Sequence, residues 1–286
     1  MAVYKRSYRG YSGAITPTWS RFLVLYRFSR SSVFSSKFQT IFLVLCFFFP
    51  LLCLLGIYAN DHLSAFSFLG PRNAPLFSID GKYFFIYMGV QGVLAFIFTA
   101  FIGPGLVSPD LANGALTLYL CRPLSRTEYV LGKMSVLVIV LSWITWMPGL
   151  ALFAVQASLS GWHWAADNFF IASGLFLGSL IWIAVLSLLS LAISAWVKWR
   201  IAAGALLLGT LFMGGGFAQA INAVLRTQQG YLIDIGRLIS TIWGDLFRQD
   251  ANPDFSVTEA WTALFAFLGV CLLLLMRKVK ANEVVR

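Results

Sequence analysis

Six intervals of this chain contain no Asp, Glu, Lys or Arg, and they bound its fold more tightly than any other feature. They run 38–60, 83–109, 134–166, 168–197, 201–225 and 260–276. A charge at the centre of a bilayer costs several kcal/mol, whereas about 20 mostly apolar residues form a helix that crosses a hydrocarbon core of roughly 30 Å. Every interval reaches the lower limit of about 17 residues, and the excess at 134–166 is a polar exit from Ser158 to Trp164. The predicted spans are about 39–59, 83–107, 127–157, 168–197, 201–225 and 257–276. With 59% hydrophobic and 11% charged residues, the chain lacks the polar surface of a soluble domain, which carries about 25% charged residues. The expectation is an all-α integral membrane protein with six transmembrane helices. A secreted disulfide scaffold and a disordered tail protein are excluded.

The net charge of +10 invites a nucleic-acid reading, but its placement along the chain explains it better as topology. With the N-terminus inside, the segments before span 1, between spans 2 and 3, between spans 4 and 5 and after span 6 hold 16 of the 21 basic residues. Eight of the 11 acidic residues fall on the other side. Lys and Arg are retained on the cytoplasmic side, so both termini are expected in the cytoplasm of a multi-pass protein of the inner (plasma) membrane. The anionic inner leaflet is the partner expected for this charge, so membrane lipids, and no nucleic acid, are the predicted contacts. No cleavable signal peptide is expected, because the first apolar run starts only near residue 39 behind a long basic region. Cys46, Cys53 and Cys271 lie in spans and Cys121 in a cytoplasmic segment, so no external disulfide is predicted. His62 and His163 have no partners at metal-ligand spacing, and no metal site is predicted.

Residues 1–38 form a basic cytoplasmic tail ahead of the transmembrane domain at 39–286. Thr16-Pro17 offers an N-cap and first helical position, after which Trp19, Phe22, Leu23 and Tyr26 alternate with arginines, as in an interfacial helix. Between spans 2 and 3, Ser108-Pro109-Asp110 reads as the start of a new short helix: a capping hydroxyl, a proline at the first position and an acid at the positive end of the dipole. Arg122-Pro123 stops it. Ser125 and Glu128 stand at capping-box spacing, so span 3 is predicted to begin near Arg126. Ser256 and Glu259 form a second such box before span 6.

The spans carry no ionisable side chains away from their ends, which argues against ion-coupled transport and against an intramembrane enzyme. Asp245, Asp250 and Asp254 read as solvated loop charge. The polarity that remains is neutral. Gln91 lies in span 2, and Gln219 and Asn222 share a face of span 5. These three are candidates to line a passage, the alternative being interhelical packing contacts. Tyr231–Phe247 is amphipathic, with Leu232, Ile235, Ile239, Ile242 and Leu246 on one face and Asp234, Arg237, Thr241, Asp245 and Arg248 on the other. It is expected to lie in the outer interface.

Asp110, Gly114, Leu116, Tyr119-Leu120, Arg122-Pro123-Leu124-Ser125-Arg126, Tyr129 and Gly132-Lys133 together resemble the permease subunits of type-2 ATP-binding-cassette (ABC) transporters, exporter branch. The likeness extends to the six-span plan and to the tail Arg277-Lys278-Val279-Lys280. It implies a permease that pairs with a second permease, as a homo- or heterodimer, and with two cytoplasmic ABC ATPase subunits. It also implies an N-terminal connecting helix matching Thr16–Phe34, and helices between spans 5 and 6 that dip into the outer leaflet. The residues matching the ATPase-coupling helix are Ser108, Pro109, Asp110, Leu111, Asn113, Gly114, Leu116 and Tyr119, and the helix-capping residues near it are Arg122 and Pro123, which stop it, and Ser125, Arg126 and Glu128, which start span 3. No Gly-x-x-x-x-Gly-Lys-Ser/Thr occurs, so the chain is not expected to be an enzyme, and ATP and Mg would bind the partner ATPase. The alternative reading is an integral-membrane enzyme or a non-transporting assembly scaffold.

Overall fold

Prolines decide where the spans bend. The computed structural model describes residues 36–62, 77–113, 126–249 and 254–278. The first span folds as α1 (Lys37–Cys46) and α2 (Phe48–Asp61), the second as α3 (Gly81–Ile102) and α4 (Pro104–Ala112), and the third as α5 (Arg126–Ile144) and α6 (Trp146–Ser160). Proline has no N–H, so Pro50 and Pro148 leave the carbonyls of Cys46 and Ile144, four residues earlier, without a helical partner. At the α3/α4 junction, Gly103 lies so close to α8 that any Cβ there would overlap the Ser190 hydroxyl. The proline-free spans are single helices: α8 (Phe169–Trp196), α9 (Arg200–Leu225) and α11 (Val257–Lys278). Among the described residues all regular elements are helical, and six stretches are long and apolar enough to cross a bilayer. Their limits agree with the predicted spans to within a few residues. The N-terminal helix expected over Thr16–Phe34 lies outside the described residues.

The short α7 (Trp162–Asp167) links α6 to α8. The core forms around α8, which packs against α3, α4, α5, α6, α9, α10 and α11. Its buried side includes Leu175, Ser179, Trp182, Leu186, Ser190 and Ser194. The capping box ahead of α11 is formed as expected, with the Ser256 N–H donating to Glu259 Oε2 (2.8 Å) and the Glu259 N–H to Ser256 Oγ (3.3 Å).

The region between spans 5 and 6 departs from expectation in one way. Tyr231–Phe247 is not one helix but a 3-10 turn (Gln229–Ile233) followed by α10 (Ile235–Leu246). Asp234 divides them because its Oδ1 caps α10, accepting from the N–H groups of Gly236 (3.0 Å) and Arg237 (3.4 Å). The helix α10 packs against α3, α8 and α11. Its last turn abuts Gly81, where a Cβ would come 2.5 Å from the Phe247 carbonyl, while the Trp243 ring packs on Gly92. Thr241, placed on the polar face by the sequence pattern, is buried, its hydroxyl donating to the Arg237 carbonyl (3.0 Å).

Two tryptophans hold α10 in this position. Trp182 Nε1–H donates to the Gly92 carbonyl (2.9 Å) and Trp243 Nε1–H to the Gly178 carbonyl (3.1 Å), with the rings edge to face at 5.9 Å. A Cβ at Gly92 or Gly178 would stand 2.7 or 3.0 Å from the Trp243 ring. The glycines are what allow α3, α8 and α10 to meet around one indole.

Candidate functional site

The segment singled out between spans 2 and 3 is built differently from its sequence reading. Ser108 does not cap a new helix; it lies inside α4, which continues through Pro109. The Ser108 N–H donates to Ser194 Oγ (2.9 Å), and the Ser194 hydroxyl donates to the Pro104 carbonyl (3.1 Å). One side chain of α8 thus bridges two backbone groups one turn apart on α4. The Ser108 hydroxyl returns the contact by donating to the Val197 carbonyl (2.7 Å) at the end of α8. Ser108 is fully buried, so its role is to anchor α4 on span 4.

Asp110 is also reassigned. It sits near the C-terminal end of α4, where the helix dipole disfavours a carboxylate, and not at the positive end. What stabilises its charge is Lys133 on α5, with Nζ 2.9 Å from Asp110 Oδ2, and the Tyr129 hydroxyl, which donates to the same oxygen (2.8 Å). Tyr129 and Lys133 are buried, and only 16% of the Asp110 side chain is exposed. Asp110, Tyr129 and Lys133 therefore close on one another. The pair spans 23 residues of sequence and brackets the stretch 114–125 at its base. The sequence held a signal for it: one acid and one base, each ending a charge-free interval on the same predicted side.

The Asn113 N–H donates to the Pro109 carbonyl (3.0 Å), and the Asn113 side chain is exposed. Leu111 and Arg126 lie in α4 and α5, and Glu128 is in the first turn of α5. Gly114, Leu116, Tyr119, Arg122, Pro123 and Ser125 lie outside the described residues.

The three residues predicted to line a passage lie apart from one another. Gln91 is fully buried and joins three spans, its Nε2 donating to the carbonyls of Cys46 (3.0 Å) and Ile144 (2.6 Å). Asn222 Oδ1 accepts from the Gly230 N–H (2.7 Å), fastening the 3-10 turn to α9. Gln219 is exposed. Gln91 and Asn222 thus make contacts between packed elements. A cavity of about 270 Å³ does open between α3, α9 and α10, lined by Gly89, Gly92, Phe96, Leu211, Trp182 and Trp243 and by none of the three amides.

Asp254 is not solvated loop charge. Arg237 Nη1 meets Asp254 Oδ2 at 2.5 Å, its Nε lies 3.7 Å from Asp234 Oδ2, and its guanidinium stacks 3.8 Å over the Tyr231 ring. This cluster ties the start of α10 to the approach to α11. Asp245 is exposed, and Asp250 lies outside the described residues. Among the described residues, no group of three His, Cys, Asp or Glu side chains converges as a metal site would require.

No family model matches the chain, and neither does any curated protein. The fold defines a multi-pass α-helical membrane protein with six membrane-length helices.

Proposed function

We propose that the chain is the membrane-spanning permease subunit of an ATP-driven ABC exporter, working with separate cytoplasmic ATPase subunits and a second permease. The observation that best supports this reading is the double anchorage at the base of residues 114–125. The near end is joined to span 4 through Ser108 and Ser194, and both ends are joined to each other through Asp110 and Lys133. A push on a short segment held in this way is delivered to spans 2, 3 and 4 together, because the anchoring groups are buried and close-packed. ATP and Mg would be held by the partner, and both termini would face the cytoplasm of the inner membrane.

In this arrangement Asp110 serves the segment's base and does not contact the ATPase, so the docking surface is assigned to residues beyond Asn113. Leu116→Asp and Tyr119→Ala should therefore leave membrane insertion normal, while ATPase copurification in mild detergent, or stimulation of its ATP hydrolysis by transported compound, is lost. Unchanged copurification and transport in the double variant would remove this segment as the coupling element. The orientation has its own test, because Cys46, Cys53 and Cys271 are buried and leave Cys121 as the native thiol to follow. An impermeant thiol reagent is expected to label Ser64→Cys and Ser160→Cys in intact cells, and Cys121 only after permeabilisation. Labelling of Cys121 in intact cells would invert the topology.

A further inference from the structure

Three observations converge on Gln91. The first is the identity of its two acceptors. In a continuous helix the Cys46 carbonyl would bond the N–H of residue 50 and the Ile144 carbonyl that of residue 148, and both positions are proline. The two carbonyls that prolines leave unpaired in spans 1 and 3 are the two that Gln91 Nε2 reaches, at 3.0 and 2.6 Å. The second is burial: Gln91 and Cys46 are fully enclosed, as is Ile144, so no solvent can substitute for the amide. The third is that Gln91 Oε1 has no partner. Both neighbouring groups are acceptors, which fixes the amide with its nitrogen toward them, and the unpaired oxygen is a cost tolerated for the sake of the two N–H bonds.

We infer that Gln91 is a shared latch for two proline hinges. A primary amide has two N–H donors, and here each is committed to a different bent helix. The bends of spans 1 and 3 are thereby coupled through span 2. Straightening either span withdraws its carbonyl from the amide and leaves a donor unpaired in an apolar interior. Proline is tolerated in membrane helices where neighbouring groups satisfy the freed carbonyl, and here one side chain serves two of them. Tyr87, one turn away on the same helix, reinforces the latch by donating its hydroxyl to the Thr145 carbonyl (3.1 Å) beside the second break. The latch is a property of this geometry alone and does not depend on the proposed transport function.

The test is a cycle of melting temperatures on the purified full chain in mild detergent. Gln91→Leu removes both donors and is expected to lower the melting temperature by roughly 4–8 °C, the scale of two lost interhelical bonds in a chain of this size. Pro50→Ala with Pro148→Ala supplies each carbonyl with its own helical N–H. Combined with Gln91→Leu, these substitutions should recover at least half of that loss, so that Gln91→Leu costs much less in the alanine background than in the proline background. If Gln91→Leu yields no folded protein, Gln91→Asn replaces it in the same cycle, since the shorter side chain cannot span both carbonyls. Equal losses in the two backgrounds, with either variant, would show that Gln91 does not serve the proline carbonyls and would overturn the latch.

Discussion

Reversing Asp110 to lysine is expected to destabilise the chain by about 3–5 kcal/mol, because it leaves the buried Lys133 ammonium facing a second cation at the base of the segment. Lys133→Met should cost as much or less, since the carboxylate it leaves without a counter-ion keeps the Tyr129 hydrogen bond and a partial exposure to solvent. The diagnostic variant is the exchange Asp110→Lys with Lys133→Asp, which restores opposite charges across the same gap. It should recover a large part of the loss in thermal stability measured in mild detergent. An exchange variant no more stable than Asp110→Lys alone would mean that the ion pair does not hold α4 to α5. The hydrogen bond from Tyr129 gives a smaller, separate effect: Tyr129→Phe should cost about 1.5–3 kcal/mol, the range for a bond to a charged acceptor.

The second large effect is expected at Trp243. Its ring is 6% exposed and fills the space between Gly92 on α3 and Gly178 on α8. Trp243→Ala should cost about 3–5 kcal/mol, combining lost apolar contact with the cavity left behind. Trp243→Phe retains most of the ring but leaves the Gly178 carbonyl without its donor, and should fall between the wild type and the alanine variant. Trp162, 83% exposed, is the control, and Trp162→Ala should shift stability by no more than about 0.5 kcal/mol. Equal effects at the two tryptophans would show that α10 is not held by the indole clasp. Because α10 also forms one wall of the 270 Å³ cavity, loss of the clasp should widen it toward α9.

The candidate site is partly legible in the amino-acid sequence. The stretch between spans 2 and 3 stands out by its helix signals and by its motif, and α5 covers the residues from Arg126 that the sequence assigns to span 3. The roles of Ser108 and Asp110 differ from the sequence expectation for one reason. A serine–proline–acid triplet is an N-terminal signature when judged locally, but here α4 runs on through Pro109. Ser108 is held from outside its own helix by the end of α8, about 86 residues away, where Ser194 Oγ accepts from its N–H and the Val197 carbonyl from its hydroxyl. Local pattern cannot register such a partner. The same limit explains Asp254, whose counter-ion Arg237 lies 17 residues back across a helix and a loop.

Which residues enter the membrane can be read from the residues themselves, because the cost of burying a charge belongs to the residue that carries it. The missing N–H of a proline is equally local, yet helices break beside Pro50, Pro104 and Pro148 while α4 runs on through Pro109. The amphipathic stripe of residues 235–246 is local too, and it correctly marks a helix with one buried face. What covers that face, and what answers each orphaned group, depends on the packed fold. Gln91 reads as an isolated polar residue in span 2, yet its two partners lie 45 and 53 residues away in different helices. Hydrogen bonds and ion pairs inside a bilayer are set by which helices pack side by side and at what height. That arrangement comes from many weak contacts summed over the whole fold, and it leaves no mark on the residues taken one at a time.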